Sequence, residues 1–341
     1  MKKFDKIWER GQKFLGVKYP IISGGMTWIS NFELAKAVSD NGAFPVLAAG
    51  NMPLDEFEKE VDKCVEGINK PFAVNLITIA PNVHMHLEIL KSKNVDFVVF
   101  AGGFPKKQDI SMMKNCGKKV MAFASTESIA NILIDSGVDA LILEGSEAGG
   151  HIGHVSLIVL LQQVLFKFRD FPVFVAGGIA TGEMIAHLLL MGAYGVQLGT
   201  KFVMSEECTA HENFKKSFIK AKARQAISTP QYSSDLPVVA VRALKNKAMS
   251  DFGDIQLDLL KKLEKNLITR IDAQYEVEKF WVGSLRDAVI NGDVEKGSLM
   301  AGQSVGLVNK IQPLSEIINE LVNDTEKELE RVANLISPFL H

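Results

Sequence analysis

The sequence predicts an α/β protein, a (β/α)8 TIM barrel with a smaller, mainly helical C-terminal lobe. Short β-branched or aromatic runs recur at spacings of roughly 20 to 30 residues, enough for a strand, a helix of about 11 residues and two loops. The runs 97–100 and 173–176 show no polar alternation, which is typical of parallel strands covered on both faces. Eight strands are expected, near Tyr19, Phe44, Phe72, Phe97, Lys119, Ala140, Val173 and Gly195.

Helix boundaries fall where this alternation requires them. Ser30 and Glu33 have the spacing of a capping box, and the run 51–53 resembles another helix start. Four glycines each follow a helical stretch and precede a strand, where a left-handed cap needs no Cβ. They are Gly42, Gly117, Gly137 and Gly192.

The strand and helix alternation stops after about Arg224 in this chain of 341 residues. We expect residues 1–223 to form the barrel, residues 305–341 to complete it, and residues 224–304 to form a smaller lobe over the active-site face. Helical patterns follow at 257–268, 282–289 and 314–336. A doubly wound open sheet is the rival fold, but its Gly-x-Gly-x-x-Gly motif is absent after the first strand.

Composition argues against several classes of function. The formal net charge is −2 and no basic stretch is interleaved with aromatic residues, so no nucleic-acid partner is expected. No apolar run approaches the about 20 helical residues that span a bilayer, and no signal peptide is evident, so we expect a cytoplasmic protein without membrane insertion. The three cysteines lack Cys-x-x-Cys spacing, which disfavours a disulfide framework or a zinc site.

The most informative segment is the loop 144–153, Glu-Gly-Ser-Glu-Ala-Gly-Gly-His-Ile-Gly, which follows an apolar run. Gly149 and Gly150 let the main chain approach a bound ring or phosphate, and His151 can exchange a proton near neutral pH. We therefore predict a catalytic loop at a strand end, with His151 as the catalytic residue. The alternative is a glycine-rich surface turn with an incidental histidine. A metal site with His154 is not expected, because two histidines alone form a weak constellation.

Other glycines and small residues also follow the expected strands, at the end of the barrel that carries active sites. Gly177–Gly178 and Gly199–Thr200 follow the seventh and eighth strands, where barrels often bind phosphate through backbone amides. This placement favours a phosphorylated cofactor. Further loops of this kind lie at 23–26, 49–51, 75 and 101–103.

Five motifs, in order along most of the chain, resemble those of the superfamily of FMN-dependent nitronate monooxygenases and enoyl-acyl-carrier-protein reductases. The resemblance implies an FMN-dependent oxidoreductase on a TIM barrel. The motifs are Gly24-Gly25-Met26, Pro71-Phe72-Ala73-Val74-Asn75, the loop 144–153, Ala176-Gly177-Gly178-Ile179 and Gln197-Leu198-Gly199-Thr200.

The double glycine at 24–25 and the segments 241–246 and 292–303 are more similar to the type II enoyl-acyl-carrier-protein reductases. Typical nitronate monooxygenases have a proline in the first loop instead. The resemblance therefore favours reduction of the enoyl thioester of acyl-carrier protein, with NADH or NADPH as reductant, in fatty acid biosynthesis. The alternative is a nitronate monooxygenase of the 2-nitropropane dioxygenase type, which oxidises alkyl nitronates with O2. A flavin-free binding or scaffold protein is a remote third hypothesis.

The resemblance also implies roles for individual residues. Gly25 and Met26 would contact the isoalloxazine through main-chain atoms, and Asn75 would hydrogen-bond its polar edge. The phosphate would be held by Gly177, Gly178, Gly199 and Thr200. The remaining cofactor-binding residues would be Glu144, Gly149, Gly150, Gln197, Met300 and Gln303. Glu147 is expected to be a solvated loop carboxylate. The plainer alternative for Asn75 is a strand-end cap, and for Met300 it is core packing. For the four proposed phosphate-binding residues it is tight turn geometry.

His151 serves either reaction. In the reductase, it would polarise the thioester carbonyl or assist protonation while hydride passes from flavin to the β-carbon; in the monooxygenase, it would assist oxidation of an anionic nitronate. No metal is implied, and a homodimer is possible by family analogy. A basic segment could attract an acidic acyl-carrier protein or form a solvated helix face. Its residues are Lys215, Lys216, Lys220, Lys222 and Arg224.

Overall fold

The computed structural model describes residues 5–49, 52–233, 235–236 and 239–339; Gly50 and Asn51, part of one predicted loop and helix start, lie outside this set. The strands are β1 (Ile21–Ser23), β2 (Val46–Ala48), β3 (Ala73–Ile77), β4 (Phe97–Ala101), β5 (Lys119–Ala124), β6 (Ala140–Glu144), β7 (Gly150–Ile152), β8 (Val173–Ala176), β9 (Gly195–Leu198), β10 (Ala226–Ser228) and β11 (Ala240–Leu244). The helices are α1 (Asp5–Leu15), α2 (Phe32–Asp40), α3 (Leu54–Gly67), α4 (Val83–Ser92), α5 (Lys107–Asn115), α6 (Glu127–Asp135), α7 (Leu157–Leu160), α8 (Gly182–Leu190), α9 (Thr200–Val203), α10 (Glu212–Lys220), α11 (Lys247–Glu264), α12 (Arg270–Val289) and α13 (Leu314–Ile336).

Eight parallel strands form the barrel in the order β1-β9-β8-β6-β5-β4-β3-β2. Phe44, just before β2, closes the ring: its N–H donates to the Ile21 carbonyl and its carbonyl accepts from the Ser23 N–H, each at 2.9 Å. The predicted (β/α)8 fold is therefore confirmed. An open doubly wound sheet is excluded, because the strand order follows the chain without reversal.

Most helix boundaries match the sequence prediction. The four expected glycine caps have φ between +78° and +111°. The predicted N-cap of α2, Ser30, was wrong by one residue. The Asn31 side chain accepts from the Leu34 N–H, whereas the Ser30 hydroxyl donates to the Gly24 carbonyl. Ser30 therefore fixes the loop after β1 instead of the helix.

Aromatic side chains fill the amino-terminal end of the barrel. The ring centroid of Phe14, in α1, lies 5.7 Å from the ring centroids of Phe97 and Phe174. The rings of Phe97 and Phe44 are also in contact, with centroids 5.0 Å apart. The Lys119 amine donates to the Phe14 carbonyl at 2.7 Å. Since this end is closed by packing, the opposite end of the barrel is left for a site.

The lobe attaches to the loop 144–153 through main-chain pairing. β11 pairs antiparallel with both β10 and β7, which places Val241 opposite His151. Helices α11 and α12 pack over β11 around Phe252 and Trp281, whose rings are 4.5 Å apart. Both helices are longer than predicted, because charged residues interrupt the apolar pattern in their first halves.

The terminal helix α13 has the predicted bounds and packs on α8 of the barrel. The buried Thr325 hydroxyl lies 3.0 Å from the Gly182 carbonyl, and Glu328 accepts from His187 at 2.7 Å. Helix α13 therefore covers helix α8 of the barrel. Within the described part of the chain, no helix combines the length and apolarity needed to cross a bilayer.

Candidate active site

Nearly all of the residues predicted from the sequence surround one cavity at the carboxyl ends of the barrel strands. Loops from most barrel strands contribute to its wall, as does the segment 300–304, which returns from the lobe. Gln303 is the exception: its neighbours Gly302 and Ser304 line the cavity, but Gln303 does not. The predicted residues that do are Gly25, Met26, Asn75, Glu144, Gly149, Gly150, His151, Gly177, Gly178, Gln197, Gly199, Thr200 and Met300.

Glycine is required on two sides of the cavity. A Cβ added to Gly25 would lie 2.7 Å from the Cβ and Cγ atoms of Asn75, which is too close for two carbon atoms. Gly177 and Gly178, after β8, have φ of +98° and +73°, a conformation that strains other residues. The main chain at these turns can therefore approach a ligand where a side chain would block it.

Two buried amide side chains face the cavity. Asn75 on β3 is 5% exposed and Gln197 on β9 is 8% exposed. Neither side chain has a hydrogen-bond partner among the described residues. Because both amides line the cavity with their donors and acceptors uncommitted, they are suited to bind a polar ligand.

The central feature of the cavity wall is the contact between His151 and Glu278 of α12, whose Nε2 and Oε2 atoms are 3.0 Å apart. Burial alone lowers the pKa of His151, but the hydrogen bond and negative charge of Glu278 outweigh burial and raise that pKa above its ordinary value. Burial raises the pKa of Glu278, and the His151 contact reverses this and lowers it. The contact therefore favours the form of the pair in which an imidazolium faces a carboxylate.

Glu144, at the end of β6, is the second titratable group in the wall. Burial raises the pKa of its carboxyl group to about 8, so the group is mostly protonated at pH 7. Among the described residues, this carboxyl has no hydrogen-bond partner. A protonated carboxyl can donate one hydrogen bond and accept others, which a carboxylate cannot do.

Arg242 and Glu147 hold the loop 144–153 in place. Arg242 is 8% exposed; its Nε donates to the Ser146 carbonyl at 2.9 Å and its Nη1 to the Ala226 carbonyl at 2.6 Å. The Glu147 carboxylate accepts from the Leu157 N–H at 3.0 Å, at the start of α7. The prediction of a solvated Glu147 was therefore wrong, because a helix N-terminus offers unpaired donors to it.

The segment 300–304 is tied to the same loops. The Gln303 N–H donates to the Glu147 carbonyl at 2.9 Å, so this residue supports the wall from behind. The Gly302 N–H donates to the Thr200 hydroxyl at 3.1 Å. Met300 lines the cavity and also packs against the core of the lobe.

Comparison with known proteins gives the family. The model of the nitronate monooxygenase family matches residues 9–86 and 78–324, which is most of the chain. The chain belongs to the nitronate monooxygenase family. The predicted superfamily and the prediction of an oxidoreductase are thereby confirmed.

Relatives of this family member carry different names. FabK from Thermotoga maritima, a type II enoyl-acyl-carrier-protein reductase, is similar at 33% identity with a TM-score of 0.84, covering 96% of this chain and 99% of its own. A (3aS,4S,5R,7aS)-5-hydroxy-7a-methyl-1-oxo-octahydro-1H-indene-4-carboxyl-CoA dehydrogenase of Mycobacterium tuberculosis is 26% identical, over 95% of this chain and 98% of the relative. A probable nitronate monooxygenase of Staphylococcus aureus is 25% identical, over 95% of this chain and 99% of the relative.

Glu278 is the functional side chain that sequence reasoning missed. It lies 127 residues from His151, on a helix where Glu276 and Lys279 are also charged, and nothing in the sequence distinguishes it from them. Arg242 lies in the segment 241–246, for which the family resemblance implied no residue role. Its burial depends on how β11 packs in the folded protein, so the sequence pattern could not show it. Elsewhere, His154 is exposed, and the described ranges contain no group of three or more residues able to hold a metal ion.

Proposed function

We propose that this member of the nitronate monooxygenase family is an FMN-dependent oxidoreductase that uses NADH or NADPH to reduce an enoyl thioester of acyl-carrier protein in fatty acid synthesis. The observation that carries the proposal is His151, which lines the same cavity as the amides of Asn75 and Gln197 and is held from behind by Glu278. The 33% identity to FabK supports the reductase, and the carboxyl-CoA in the name of the M. tuberculosis relative is also a thioester.

The cavity has the groups that FMN requires. The Asn75 and Gln197 amides offer donors and acceptors for the polar edge of the ring, and Gly25 leaves room for the ring beside Asn75. Backbone N–H groups after β8 and β9, with the Thr200 hydroxyl, would bind the phosphate. When bound, FMN would supply the hydride-transfer chemistry that links the nicotinamide to the β-carbon of the substrate. The protonated Glu144 would hydrogen-bond a ribityl hydroxyl.

His151 would act on the carbonyl of the thioester. With Nε2–H held by Glu278, the Nδ1–H of the imidazolium is free to donate to the carbonyl oxygen, where negative charge develops as hydride reaches the β-carbon. A positioned acid of this kind contributes about 10²- to 10⁴-fold in rate. Glu278 would fix the orientation of the ring and keep it protonated.

The basic segment is proposed to contact acyl-carrier protein, with a smaller set of residues than the sequence suggested. Lys215 is buried and its amine donates to the Ser205 carbonyl at 2.7 Å, so it cannot reach a partner. Lys216, Lys220, Lys222 and Arg224 are exposed, and Lys216 also pairs with Glu212 at 2.7 Å. These four form the proposed contact. A homodimer remains a prediction from the family resemblance.

The second candidate is oxidation of an alkyl nitronate with O2. The raised pKa of His151 favours it, because an imidazolium would bind the anionic nitronate directly. The name of the S. aureus relative also supports it.

Anaerobic reduction and reoxidation separate the two reactions. The FMN-loaded protein is mixed with NADH or NADPH, then with a butenoyl thioester, and compared with the same protein mixed with propionate nitronate. We expect the pyridine nucleotide to bleach the flavin absorbance and the thioester to restore it. Bleaching by nitronate without bleaching by either pyridine nucleotide would contradict the reductase.

The flavin-free scaffold hypothesis is tested by the absorbance spectrum of the purified protein after equimolar FMN is added and excess removed. Retained flavin absorbance is expected. A colourless protein would support the scaffold.

A further inference from the structure

A second cavity lies beside the first, and three residues line both. Its volume is about 730 Å³, and it shares Ile79, Gly102 and His151 with the inner cavity. We call it the outer groove. It lies between α12 on one side and the loops after β3 and β4 on the other.

One wall of the outer groove is a stripe along α12. Ile271, Tyr275, Glu278 and Val282 line it at positions i, i+4, i+7 and i+11, which is one face of a helix about 16 Å long. Ile271 is 62% exposed and Tyr275 is 47% exposed. The acid that holds His151 is thus the polar position in an otherwise apolar stripe.

The opposite wall is also apolar. Ile79 is 44% exposed and Phe104 is 58% exposed, and Pro105 and Val239 line the groove beside them. Contiguous exposed apolar side chains on facing walls are typical of a ligand groove. Polar groups line the groove on both sides. On the loop side, His84 Nδ1 is 3.6 Å from Asp109, and its Nε2 is 3.4 Å from the Lys106 amine. On α12, the polar lining residues are Gln274, Glu276, Glu278 and Lys279, beside the apolar stripe.

We propose that the outer groove binds the hydrocarbon chain of the thioester substrate, with Tyr275 and Phe104 setting the preferred chain length. The proposal rests on the proposed function for the position of the reacting end, beside His151 in the inner cavity. Because His151 lines both cavities, the carbonyl would contact the imidazole while the chain runs along α12. A pyridine nucleotide is the rival occupant, because Lys106 and Lys279 also line the groove. The exposed apolar side chains on both walls favour the hydrocarbon chain over a diphosphate.

Chain-length kinetics tests the groove in the FMN-loaded enzyme. Each buried methylene contributes about fourfold in binding, so kcat/KM should rise from butenoyl to dodecenoyl thioester. Tyr275→Ser and Phe104→Ser should each lower the dodecenoyl to butenoyl ratio at least about tenfold. Leu257→Ser is the matched control, because Leu257 is 46% exposed on α11 and lies outside the groove. Unchanged ratios, with a raised KM for NADH or NADPH, would assign the groove to the nucleotide and overturn the proposal.

Calorimetric binding of saturated acyl-CoA needs no turnover, so it separates failure of the groove from failure of the reductase assignment. The Kd should fall from butanoyl- to dodecanoyl-CoA, and Tyr275→Ser should remove most of that decrease. If enoyl reduction is absent but this dependence is present, the groove stands and the reaction is reassigned. A Kd independent of chain length would overturn the groove.

Discussion

At the scale of residues, His151 and Glu278 carry the proposed chemistry, because each shifts the pKa of the other. The loop 144–153 supplies the imidazole and α12 supplies the carboxylate, and the two groups are in contact at 3.0 Å. Glu144 completes the set with a carboxyl that burial keeps protonated. Three predictions follow from these three groups.

Removing the imidazole should slow turnover and leave the cofactor in place. We expect His151→Ala to retain FMN, because the amides and glycines of the cavity remain, and to lower kcat at least about tenfold through loss of the acid. Steady-state kinetics normalised to bound flavin measures this. His154→Ala, at an exposed position of the same loop, is the control. Wild-type turnover in His151→Ala would rule out a catalytic role.

Removing the negative charge of Glu278 should change the pH dependence. The pKa of His151 is raised by Glu278, so the charged pair is complete below the ordinary histidine pKa and is lost as pH rises through the raised value. Glu278→Gln lowers the pKa of His151, and the alkaline limb of kcat should move to lower pH. Glu276→Gln, nearby on α12, is the control. Coincident pH profiles for Glu278→Gln and wild type would contradict the role of the pair.

Replacing Glu144 should change the free energy of unfolding only at higher pH. Burial raises the pKa of its carboxyl group from 4.5 to about 8. As pH rises between these values, the group ionises more readily in the unfolded chain, so the folded state loses stability. Glu144→Gln avoids this cost. In flavin-free protein its Tm should equal that of wild type near pH 4.5 and exceed it increasingly up to pH 8. A Tm difference that is constant with pH would show that the carboxyl does not carry this cost.

The residues that could be predicted from the sequence share a local signal. Gly177 directly follows the apolar run 173–176, Thr200 comes two residues after β9, and Asn75 is the polar residue within the apolar run of β3; strand ends in a barrel meet at one face. Glu278 has no such signal, because its position depends on how α12 folds over the barrel. The burial of Lys215 and the pairing of Glu147 were missed for the same reason.

At the scale of elements, the barrel strands were predictable because each strand and its following helix are encoded within a short stretch. The first halves of α11 and α12 were not, because their buried faces pack against each other and β11. The boundary of the lobe at 224 and 304 stays a prediction. One contact between elements, α8 against α13, allows a direct test.

Two glycine substitutions should have opposite effects on stability. A Cβ at Gly182, the first residue of α8, would lie 2.5 Å from the Thr325 nitrogen of α13, so Gly182→Ala should destabilise by about 1–3 kcal/mol. A Cβ at Gly283, in α12, meets nothing within 4 Å, so Gly283→Ala should stabilise by about 0.5–1 kcal/mol. Urea unfolding gives both values. Equal changes in the free energy of unfolding for the two variants would mean that α13 does not pack closely on α8.

At the scale of the whole molecule, the active-site cavity is assembled from residues between Gly24 and Ser304, with Phe14 filling the opposite end of the barrel. The sequence predicted which turns would meet, because a closed parallel barrel leaves few alternatives. It did not predict the outer groove, since that space exists only where α12 faces the loops after β3 and β4.

A crystal structure of the protein with FMN tests the central claim most directly. We predict the isoalloxazine against Gly25 and Asn75 with His151 facing it, and the phosphate at the turns after β8 and β9. Flavin bound elsewhere on the molecule, or an isoalloxazine out of reach of His151, would contradict the claim.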